Sequence, residues 1–319
     1  MNPAIDLIGD IHGCGASLRL LLERMGYKEC NGAYRHPTRR VVFLGDIIDR
    51  GPRIVETYEI VRAMVERADA EIVLGNHEYN YFCYKTPDPN KPGDFLRSHT
   101  PRHQRIVQET LSQFAHRQSD ERELLEWIEN MPLYLEREHF RVVHACWHQT
   151  LIDRLRKEHS NPARVGREFL IKSSQMHTFE YLCMDRLTRG THLRLPNNEF
   201  MVSKDGFKRY YFRTKFWANE PQFMGDVVFQ PDPLPEHIAR TELTPADIID
   251  IQHYSVDERP LFIGHYWCEG DPKPVADNIA CLDFSAVKYG KLVAYRFDGE
   301  RQLDRRKFIW VDVDAEFPR

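Results

Sequence analysis

The sequence of 319 residues lacks several features that would point to common classes of protein. No stretch approaches the roughly 18 apolar residues of a membrane-spanning helix. The first residues have neither the basic start nor the apolar run of a signal peptide. The formal net charge of -4 provides no basic surface for bulk nucleic acid or an anionic membrane. We therefore predict a cytoplasmic protein with no membrane partner, and nucleic acid is not the expected ligand.

Cysteine is scarce and follows no pattern. The 7 cysteines contain no Cys-x-x-Cys pair, which argues against a structural zinc site, and their odd number and scatter argue against a disulfide framework. We expect reduced thiols. Cys14, Cys146 and Cys268 lie beside the motifs described next, and the sequence leaves open whether they make the protein sensitive to oxidation.

Five short polar motifs stand in order along the chain. The first three follow apolar runs, at residues 4–8, 41–44 and 71–74, that are typical of buried strands. The first third alternates strands with helices, which predicts parallel strands whose carboxyl ends meet at one edge of a sheet. The motifs are Gly9-Asp10-Ile11-His12-Gly13, Gly45-Asp46-Ile47-Ile48-Asp49-Arg50-Gly51, Gly75-Asn76-His77-Glu78, His144-Ala145-Cys146 and Gly264-His265.

The residue types in these motifs are those that bind divalent metal ions. Hard and borderline ions take carboxylate, amide oxygen and imidazole ligands. Two such ions ~3.5 to 4 Å apart can activate a water molecule and clamp a phosphate group. A glycine precedes four of the five ligand positions, where we expect backbone turns that a β-carbon would hinder. The candidate ligands are Asp10, His12, Asp46, Asn76, His144 and His265.

In this order and combination, the motifs resemble those of the calcineurin-like metallophosphoesterases. The resemblance is to the branch that contains the phosphoprotein phosphatases and the bacterial symmetrical diadenosine tetraphosphatases. It implies an α/β fold: a four-layer α/β/β/α sandwich with two mixed sheets and a dinuclear metal site at the carboxyl ends of the strands. It implies two divalent metal ions, with manganese expected first and iron, zinc, nickel, cobalt or magnesium as alternatives. One ion would be held by Asp10, His12 and Asp46, and the other by Asp46, Asn76, His144 and His265.

The same resemblance implies that three further residues handle the phosphate and the proton. His77 would donate a proton to the leaving group, Asp49 would orient His77, and Arg50 would contact the phosphate. A carboxylate partner favours the protonated form of an imidazole, and a guanidinium offers a planar fork to phosphate oxygens. The alternative for Asp49 and Arg50 is a surface pair at a helix start.

The sequence departs from the family pattern at two places. The first bears on which branch of the family it resembles, and the second on the shape of one loop. Tyr266 and Trp267 follow Gly264-His265, so the second histidine that the nuclease and phosphodiesterase branches carry is missing. Cys146 stands where the family usually has glycine, which places the shape of that loop in question.

We predict a single domain over residues 1–319, with an insertion at about 150–258 that selects the substrate. Within it, residues 200–203 and 207–217 are predicted to form a hairpin around Asp205-Gly206. Alternation along the second strand would place Arg209, Tyr211, Arg213, Lys215 and Trp217 on one face. One interpretation is that this face forms a lid that contacts phosphate and stacks on a base. The other is that it belongs to an edge strand whose cationic side chains prevent pairing with another chain. Arg213 is the candidate for a second phosphate contact.

The sequence therefore predicts a metal-dependent phosphoesterase that acts on a small phosphorylated substrate. Nucleoside polyphosphates such as diadenosine tetraphosphate are the first expectation. The alternatives are a serine/threonine protein phosphatase, a phosphatase that processes nucleic-acid ends, and a non-catalytic binding module on the same fold.

Overall fold

The computed structural model of the protein describes residues 4–202, 206, 208–230, 233–288 and 290–313. None of the helices in these residues is long and apolar enough to cross a membrane. The strands are β1 Ala4–Ile8, β2 Lys28–Cys30, β3 Ala33–Arg35, β4 Arg39–Phe43, β5 Glu71–Ile72, β6 Tyr134–Glu136, β7 Arg141–Val143, β8 His192–Arg194, β9 Met201–Val202, β10 Lys208–Arg209, β11 Tyr211–Thr214, β12 Val228–Gln230, β13 Leu261–Ile263, β14 Ile279–Cys281, β15 Asp283–Phe284, β16 Lys291–Phe297 and β17 Phe308–Asp312.

The α-helices lie mainly in the first two thirds of the chain. They are α1 Gly15–Arg24, α2 Ile54–Arg67, α3 Asn76–Lys85, α4 Pro101–Phe114, α5 Gln118–Glu129, α6 Gln149–Glu158, α7 Gly166–Lys172, α8 Phe179–Arg189, α9 Met224–Val227, α10 Glu236–Ala239 and α11 Pro245–Ile251.

The first sheet contains the parallel strands that the sequence predicts. Its order is β15-β16-β1-β4-β5, with β17 beside β16. β1, β4 and β5 run parallel, and β16 pairs with β1 in the antiparallel direction. Helices α1 and α2 connect the parallel strands, so their carboxyl ends gather at one edge.

The second sheet has the order β14-β13-β7-β6 and is also mixed. β13 is parallel to both β14 and β7, whereas β6 is antiparallel to β7. Leu7 and Val42 of the first sheet share one buried cluster with Val142 and Phe262 of the second, so the two sheets pack face to face. Helical residues such as Leu18 belong to a separate, larger cluster. The predicted α/β architecture with two mixed sheets is confirmed.

The stretch between residues 150 and 258 carries α6 to α11 and a small sheet of order β12-β11-β8. The predicted hairpin is present as β9 pairing antiparallel with β10, although residues 203–205 and 207 lie outside the described part. The prediction of one continuous strand over residues 207–217 is wrong. The strand breaks at Tyr210, because β11 pairs with β8 and β12 instead of β9.

Candidate functional site

The five motifs meet because each follows a strand of one of the two sheets. Asp10 and Asp46 come two and three residues after the parallel strands β1 and β4. Asn76 begins α3, shortly after β5. His144 directly follows β7 and His265 comes two residues after β13, its parallel neighbour. The carboxyl ends of both sheets therefore deliver polar side chains to the same place.

Asp46 lies at the centre of this group. Its Oδ2 is 3.8 Å from Nε2 of His12 and 3.3 Å from Nε2 of His144. Ligand-type atoms of His12, Asp46 and His77 lie within 4.8 Å of one another, and so do those of Asp46, His144 and His265. The two groups share the carboxylate of Asp46, as a ligand that bridges two cations would. The first group contains His77, which the sequence assigns to the proton, and neither group contains the predicted ligand Asp10.

Two histidines present unpartnered ring nitrogens to this space. Nδ1 of His12 lies 3.0 Å from the carbonyl oxygen of Ile48 and donates to it, which leaves the Nε2 lone pair available. Nε2 of His12 and Nε2 of His265 are both buried without a hydrogen-bond partner among the described residues. Buried polar atoms are rarely left unpaired, so these nitrogens fit the role of metal ligands.

The amide of Asn76 adds a third acceptor. Its Oδ1 lies 3.2 Å from Nε2 of His144 and 2.6 Å from Nδ1 of His265, so acceptor atoms face one another unless the amide is reversed. A cation between them would satisfy the amide oxygen as it stands.

The buried carboxylates show why this site favours positive charge. Burial and the nearby carboxylate of Asp283 raise the pKa of Asp10 well above its ordinary value. Burial also opposes ionisation of Asp46, but the imidazoles of His144 and His77 outweigh it and hold the pKa of Asp46 well below that value. Burial would lower the pKa of His144, yet Asp46 raises it to about 10. A bound cation would supply the charge that a proton supplies here.

Asp10 itself is held by the backbone of the last motif. Its carboxylate accepts from the backbone N–H of His265 at 3.1 Å. A β-carbon on Gly264 would fall on Oδ1 of Asp10, and one on Gly75 would fall on Oδ1 of Asp46. At Gly75, where φ is -90°, close approach of a neighbour is therefore the reason for glycine, rather than the turn conformation expected from the sequence.

The site stores backbone strain. His12, Asp46, Asp49, Arg50 and His265 all adopt left-handed conformations, with φ of 47°, 50°, 66°, 70° and 61°. Each such residue costs of order 1 kcal/mol or more and persists only where the surrounding structure enforces it. Such residues cluster at functional sites, so their concentration here supports the candidate site.

His77 lies between a carboxylate and a guanidinium. Its Nδ1 is 2.7 Å from Oδ2 of Asp49, and both side chains are buried. Its Nε2 is 3.0 Å from the guanidinium of Arg50. Because arginine only donates, Nε2 accepts and Nδ1 donates to Asp49. The surface-pair alternative for Asp49 is wrong, since Asp49 is 0% exposed.

Arg213 lies at the edge of the same site. One guanidinium nitrogen donates to the carbonyl oxygen of His265 at 3.1 Å, and the guanidinium carbon lies 5.5 Å from the ring centre of Tyr266. Among the described residues Arg213 makes no ion pair with a carboxylate within 4.0 Å, which leaves its charge available to an anion. The guanidinium lies against the backbone of a candidate ligand, which is compatible with the predicted phosphate contact.

Comparison with known proteins identifies the family to which the chain belongs. The sequence model of the calcineurin-like phosphoesterase family matches residues 3–191, which is more than half of the chain. The chain belongs to this family. It is therefore a member of the metallophosphoesterases, a family of hydrolases. The family implies divalent metal ions, and the cluster around Asp46 could hold them.

Curated relatives of this metallophosphoesterase match it over part of their length. The asymmetrical bis(5'-nucleosyl)-tetraphosphatase PrpE of Oceanobacillus iheyensis is 32% identical over 142 residues, covering 44% of this chain and 54% of the relative. The symmetrical bis(5'-nucleosyl)-tetraphosphatase of a Janthinobacterium strain is 33% identical over 138 residues, covering 43% and 42%. The chain thus spans about half the length of these relatives or less.

A solved structure supports the fold of this metallophosphoesterase. A mutant cold-active protein tyrosine phosphatase has 15% sequence identity and a TM-score of 0.50, covering 98% of this chain and 78% of that one. At this identity the likeness concerns the fold alone.

Sequence reasoning missed Glu78, which shapes the loop that carries Asp46. The buried carboxylate accepts from the backbone N–H groups of Asp46 and Ile47, each at 2.8 Å, and of Gly75 at 3.1 Å. Burial, followed by the charge of Asp46, raises the pKa of Glu78 to about 7. Glu78 is the third residue of α3, and its carboxylate bonds back to the N–H of Gly75, the residue before the helix. A glutamate at this position is half of the capping-box pattern and could have identified it.

Thr110 and Arg189 were also missed. Thr110 on α4 contacts Asp49 through its hydroxyl. Arg189 ends α8 and donates to Oδ1 of Asn80, one helical turn after Asn76. No local pattern marks either residue, because their partners are distant in sequence and many arginines lie between His144 and His265.

Proposed function

We propose that this metallophosphoesterase hydrolyses phosphoanhydride bonds of nucleoside polyphosphates, with a dinucleoside tetraphosphate as the leading substrate. The observation that carries this proposal is a cleft of about 1190 Å³ beside the candidate site. Trp267 lines the cleft, and its ring centre lies 5.0 Å from the guanidinium carbon of Arg50. The cleft therefore opens next to Arg50, the residue predicted to contact the phosphate. The names of the curated relatives support the same substrate class.

The lining of the cleft suits an extended anion that carries an aromatic base. Cations can pair with a polyphosphate chain, and aromatic rings can stack on a base whatever its identity. Cationic side chains outnumber the two acidic ones, Glu269 and Asp271. The cations are Arg209, Lys215, Lys273 and Lys288, and the aromatic residues are Trp217, Phe229, Trp267 and Phe284.

The insertion at about residues 150–258 contributes directly to this cleft. Arg209, Lys215 and Trp217 line it together, even though the strand that was predicted to join them is broken. Lys288 comes from outside the insertion, and its Nζ lies 3.6 Å from the Trp267 ring. We propose that this insertion, within a single domain, selects the substrate.

We assign the ligands as the sequence predicts. Divalent ions bound there would neutralise phosphoryl oxygens and lower the pKa of a bound water. Manganese is the proposed metal, with iron, zinc, nickel, cobalt and magnesium as alternatives. The first ion is assigned to Asp10, His12 and Asp46, and the second to Asp46, Asn76, His144 and His265.

We assign proton donation to His77, the orientation of His77 to Asp49, and the phosphate contact to Arg50. Arg50 would turn its guanidinium to the phosphoryl oxygens, which frees Nε2 of His77 to hold a proton for the leaving oxygen. Asp49 keeps Nδ1 in place throughout. The 3.0 Å contact between Arg50 and His77 supports this coupling, because one movement serves both roles. Arg213 is the proposed second phosphate contact.

A substrate panel with defined metals tests the proposal. Diadenosine tetraphosphate, a phosphopeptide, a phosphorylated oligonucleotide end and p-nitrophenyl phosphate are compared in the presence of each candidate metal. We expect the highest kcat/KM for diadenosine tetraphosphate. Chromatography of the products distinguishes cleavage of the central anhydride, which gives equal halves, from cleavage off the centre. A higher kcat/KM for the phosphopeptide or the oligonucleotide would overturn the proposal in favour of that substrate class.

Substitutions of residues that line the cleft provide a second test, which asks whether the cleft binds the substrate. Arg209→Ala and Lys215→Ala should lower kcat/KM for diadenosine tetraphosphate roughly tenfold, since each removes a charge-assisted contact. Both variants should leave p-nitrophenyl phosphate unaffected because it is too short to reach the cleft. Lys157→Ala, which changes an exposed cation outside the cleft, is the control. Equal losses on both substrates would contradict the role of the cleft.

A further inference from the structure

A second cavity, of about 400 Å³, is lined by none of the predicted ligands and contains two arginines. Its lining includes Tyr79 of α3 and both Tyr181 and Arg189 of α8. Arg97, from the segment before α4, and Ser174, from the segment after α7, also line the cavity.

Arg97 is an uncompensated cation in this cavity. Its backbone N–H donates to the carbonyl oxygen of Cys83 at 3.0 Å, which fixes its position. Its Nε is buried without a hydrogen-bond partner, and among the described residues its guanidinium makes no ion pair. Burial, followed by the positive charge of Arg189, lowers the pKa of Arg97. Arg97 as a whole is partly buried. An unpaired charge that is partly removed from water is costly, so an anion is the natural complement.

Arg189 adds a second guanidinium with little negative charge around it. The nearest carboxylate, that of Asp185, is 3.9 Å away and lies closer, at 3.2 Å, to Arg186. Arg189 also donates to Oδ1 of Asn80 at 2.9 Å. Arg97 and Arg189 therefore both line the cavity. The one carboxylate among the described residues of its lining, that of Asp185, pairs more closely with Arg186 than with Arg189.

We propose that this cavity binds a phosphate group between Arg97 and Arg189. Guanidinium forks match the oxygens of a tetrahedral oxyanion, and the volume of the cavity accommodates a phosphate or a pyrophosphate. The location connects it with the catalytic residues. Arg189 follows Thr188, whose carbonyl oxygen lies 3.3 Å from the side-chain amide of Asn76. A phosphate bound at Arg189 therefore sits one residue from a direct neighbour of a candidate ligand.

The phosphate could come from two sources, either free phosphate or a distal phosphoryl group of a long substrate. Only the second source rests on the proposed function. Both share the same chemistry, and kinetics with a short and a long substrate distinguishes them.

Calorimetric titration of the manganese-loaded protein with inorganic phosphate tests the site. We expect the wild type to bind at two sites, one catalytic and one in the cavity. Arg97→Met should lose the cavity site, with affinity falling roughly tenfold or more, and should keep the catalytic one. Arg50→Met should show the reverse pattern. An isotherm of Arg97→Met that matches the wild type would overturn the proposal.

Thermal unfolding without phosphate separates binding from packing. Arg97→Met should unfold at the same temperature as the wild type or higher, since it removes an unpaired charge that is partly shielded from water. A lower unfolding temperature together with an unchanged phosphate titration would make Arg97 a packing residue and overturn the site. If Arg97→Met does not fold, Arg97→Lys, which keeps the charge and removes the fork, decides by the same titration: weakened cavity binding supports the site and unchanged binding overturns it.

Kinetics then assign the source of the phosphate. If free phosphate is the ligand, added phosphate should change the kcat for p-nitrophenyl phosphate in the wild type but not in Arg97→Met. If the ligand is the distal group of a substrate, Arg97→Met should raise KM for diadenosine tetraphosphate and leave p-nitrophenyl phosphate unchanged. No change in either assay would contradict a functional role for the cavity.

Discussion

Thr110 binds Asp49 twice through one hydroxyl group. The Oγ1 donates to Oδ1 of Asp49 and accepts from the backbone N–H of Asp49 at 3.1 Å. Both residues are 0% exposed. The other carboxylate oxygen of Asp49 is 2.7 Å from Nδ1 of His77, so Thr110 positions the residue that positions the proposed proton donor.

Thr110→Val should therefore lower turnover, although Thr110 is buried and acts only through Asp49. The variant leaves Asp49 with an unsatisfied carboxylate oxygen and amide, which should cost about 1–3 kcal/mol of unfolding free energy. We expect kcat to fall roughly tenfold with KM little changed, because orientation of the proton donor is lost. Thr110→Ser, which keeps the hydroxyl, is the control and should recover most of kcat. A rise in KM with unchanged kcat would show that Thr110 does not act through His77.

His77→Asn should retain metal and lose turnover. Removing a general acid typically costs 10²–10⁴-fold, and the loss should shrink for substrates whose leaving groups need no proton. A series of aryl phosphates of falling leaving-group pKa measures this dependence. His116→Asn, at an exposed histidine, is the control and should behave as the wild type. An equal loss on every leaving group would count against His77 as the proton donor.

Asp46→Asn should remove both metal and activity, because Asp46 is the one carboxylate shared by the two ligand groups. Elemental analysis should show less than half of the wild-type metal content. Activity should fall by roughly 10³-fold or more, since bound ions contribute several kcal/mol to catalysis. Asp250→Asn, at an exposed carboxylate on α11, is the control. Full metal content in Asp46→Asn would refute the shared-ligand assignment.

The place where the candidate ligands meet could be predicted because strand ends are local features of the sequence. An apolar run followed by Asp10 or Asp46 places each carboxylate at a strand end, and parallel strands bring those ends together. Thr110 and Arg189 could not be predicted, because they act across 61 and 109 residues of sequence through helix packing.

The broken strand at Tyr210 has the same cause. Alternation from residue 207 to 217 predicts one strand, but the pairing partner decides where a strand continues. β10 pairs with β9, while β11 pairs with β8 and β12 in another sheet. A single sequence carries little information about such pairing, since side-chain alternation is the same in either sheet.

The two buried cysteines beside the motifs, Cys14 and Cys146, should not react in the folded protein. Cys14 and Cys146 are buried, Cys268 is half-buried and Cys30 is exposed. Burial raises the pKa of Cys146 to about 12, so almost no reactive thiolate exists near neutral pH. We expect a thiol reagent to label Cys30 quickly and to leave activity unchanged. Mass spectrometry of the labelled peptides identifies the sites, and Cys30→Ser should remove the fast phase. Rapid labelling of Cys146 with loss of activity would contradict the burial seen here.

Glu136 should make the stability of the fold depend on acid pH. Its carboxylate lies 2.9 Å from the guanidinium of Arg141 and 3.4 Å from that of Arg259, and it also pairs with Arg156. Burial opposes ionisation, but the arginines, Arg141 first, outweigh it and lower the pKa of Glu136 below its ordinary value. Because the folded pKa is depressed, the interaction stabilises the protein above the unfolded pKa of roughly 4.3 and is lost as the pH falls through the folded value.

Glu136→Gln should therefore be less stable than the wild type at pH 7 and should approach it as the solution becomes acidic. We expect a deficit of about 1 kcal/mol at pH 7, kept small because water screens a partly exposed group. Urea unfolding of both proteins, prepared with the same metal content and compared at pH 7 and at successive values below about 4.3, measures the change. Arg156→Gln offers the matched test from the other side, since it removes one cation and should lose part of the same pH dependence. A deficit that stays constant across the acid range would mean that Glu136 contributes through packing instead of charge.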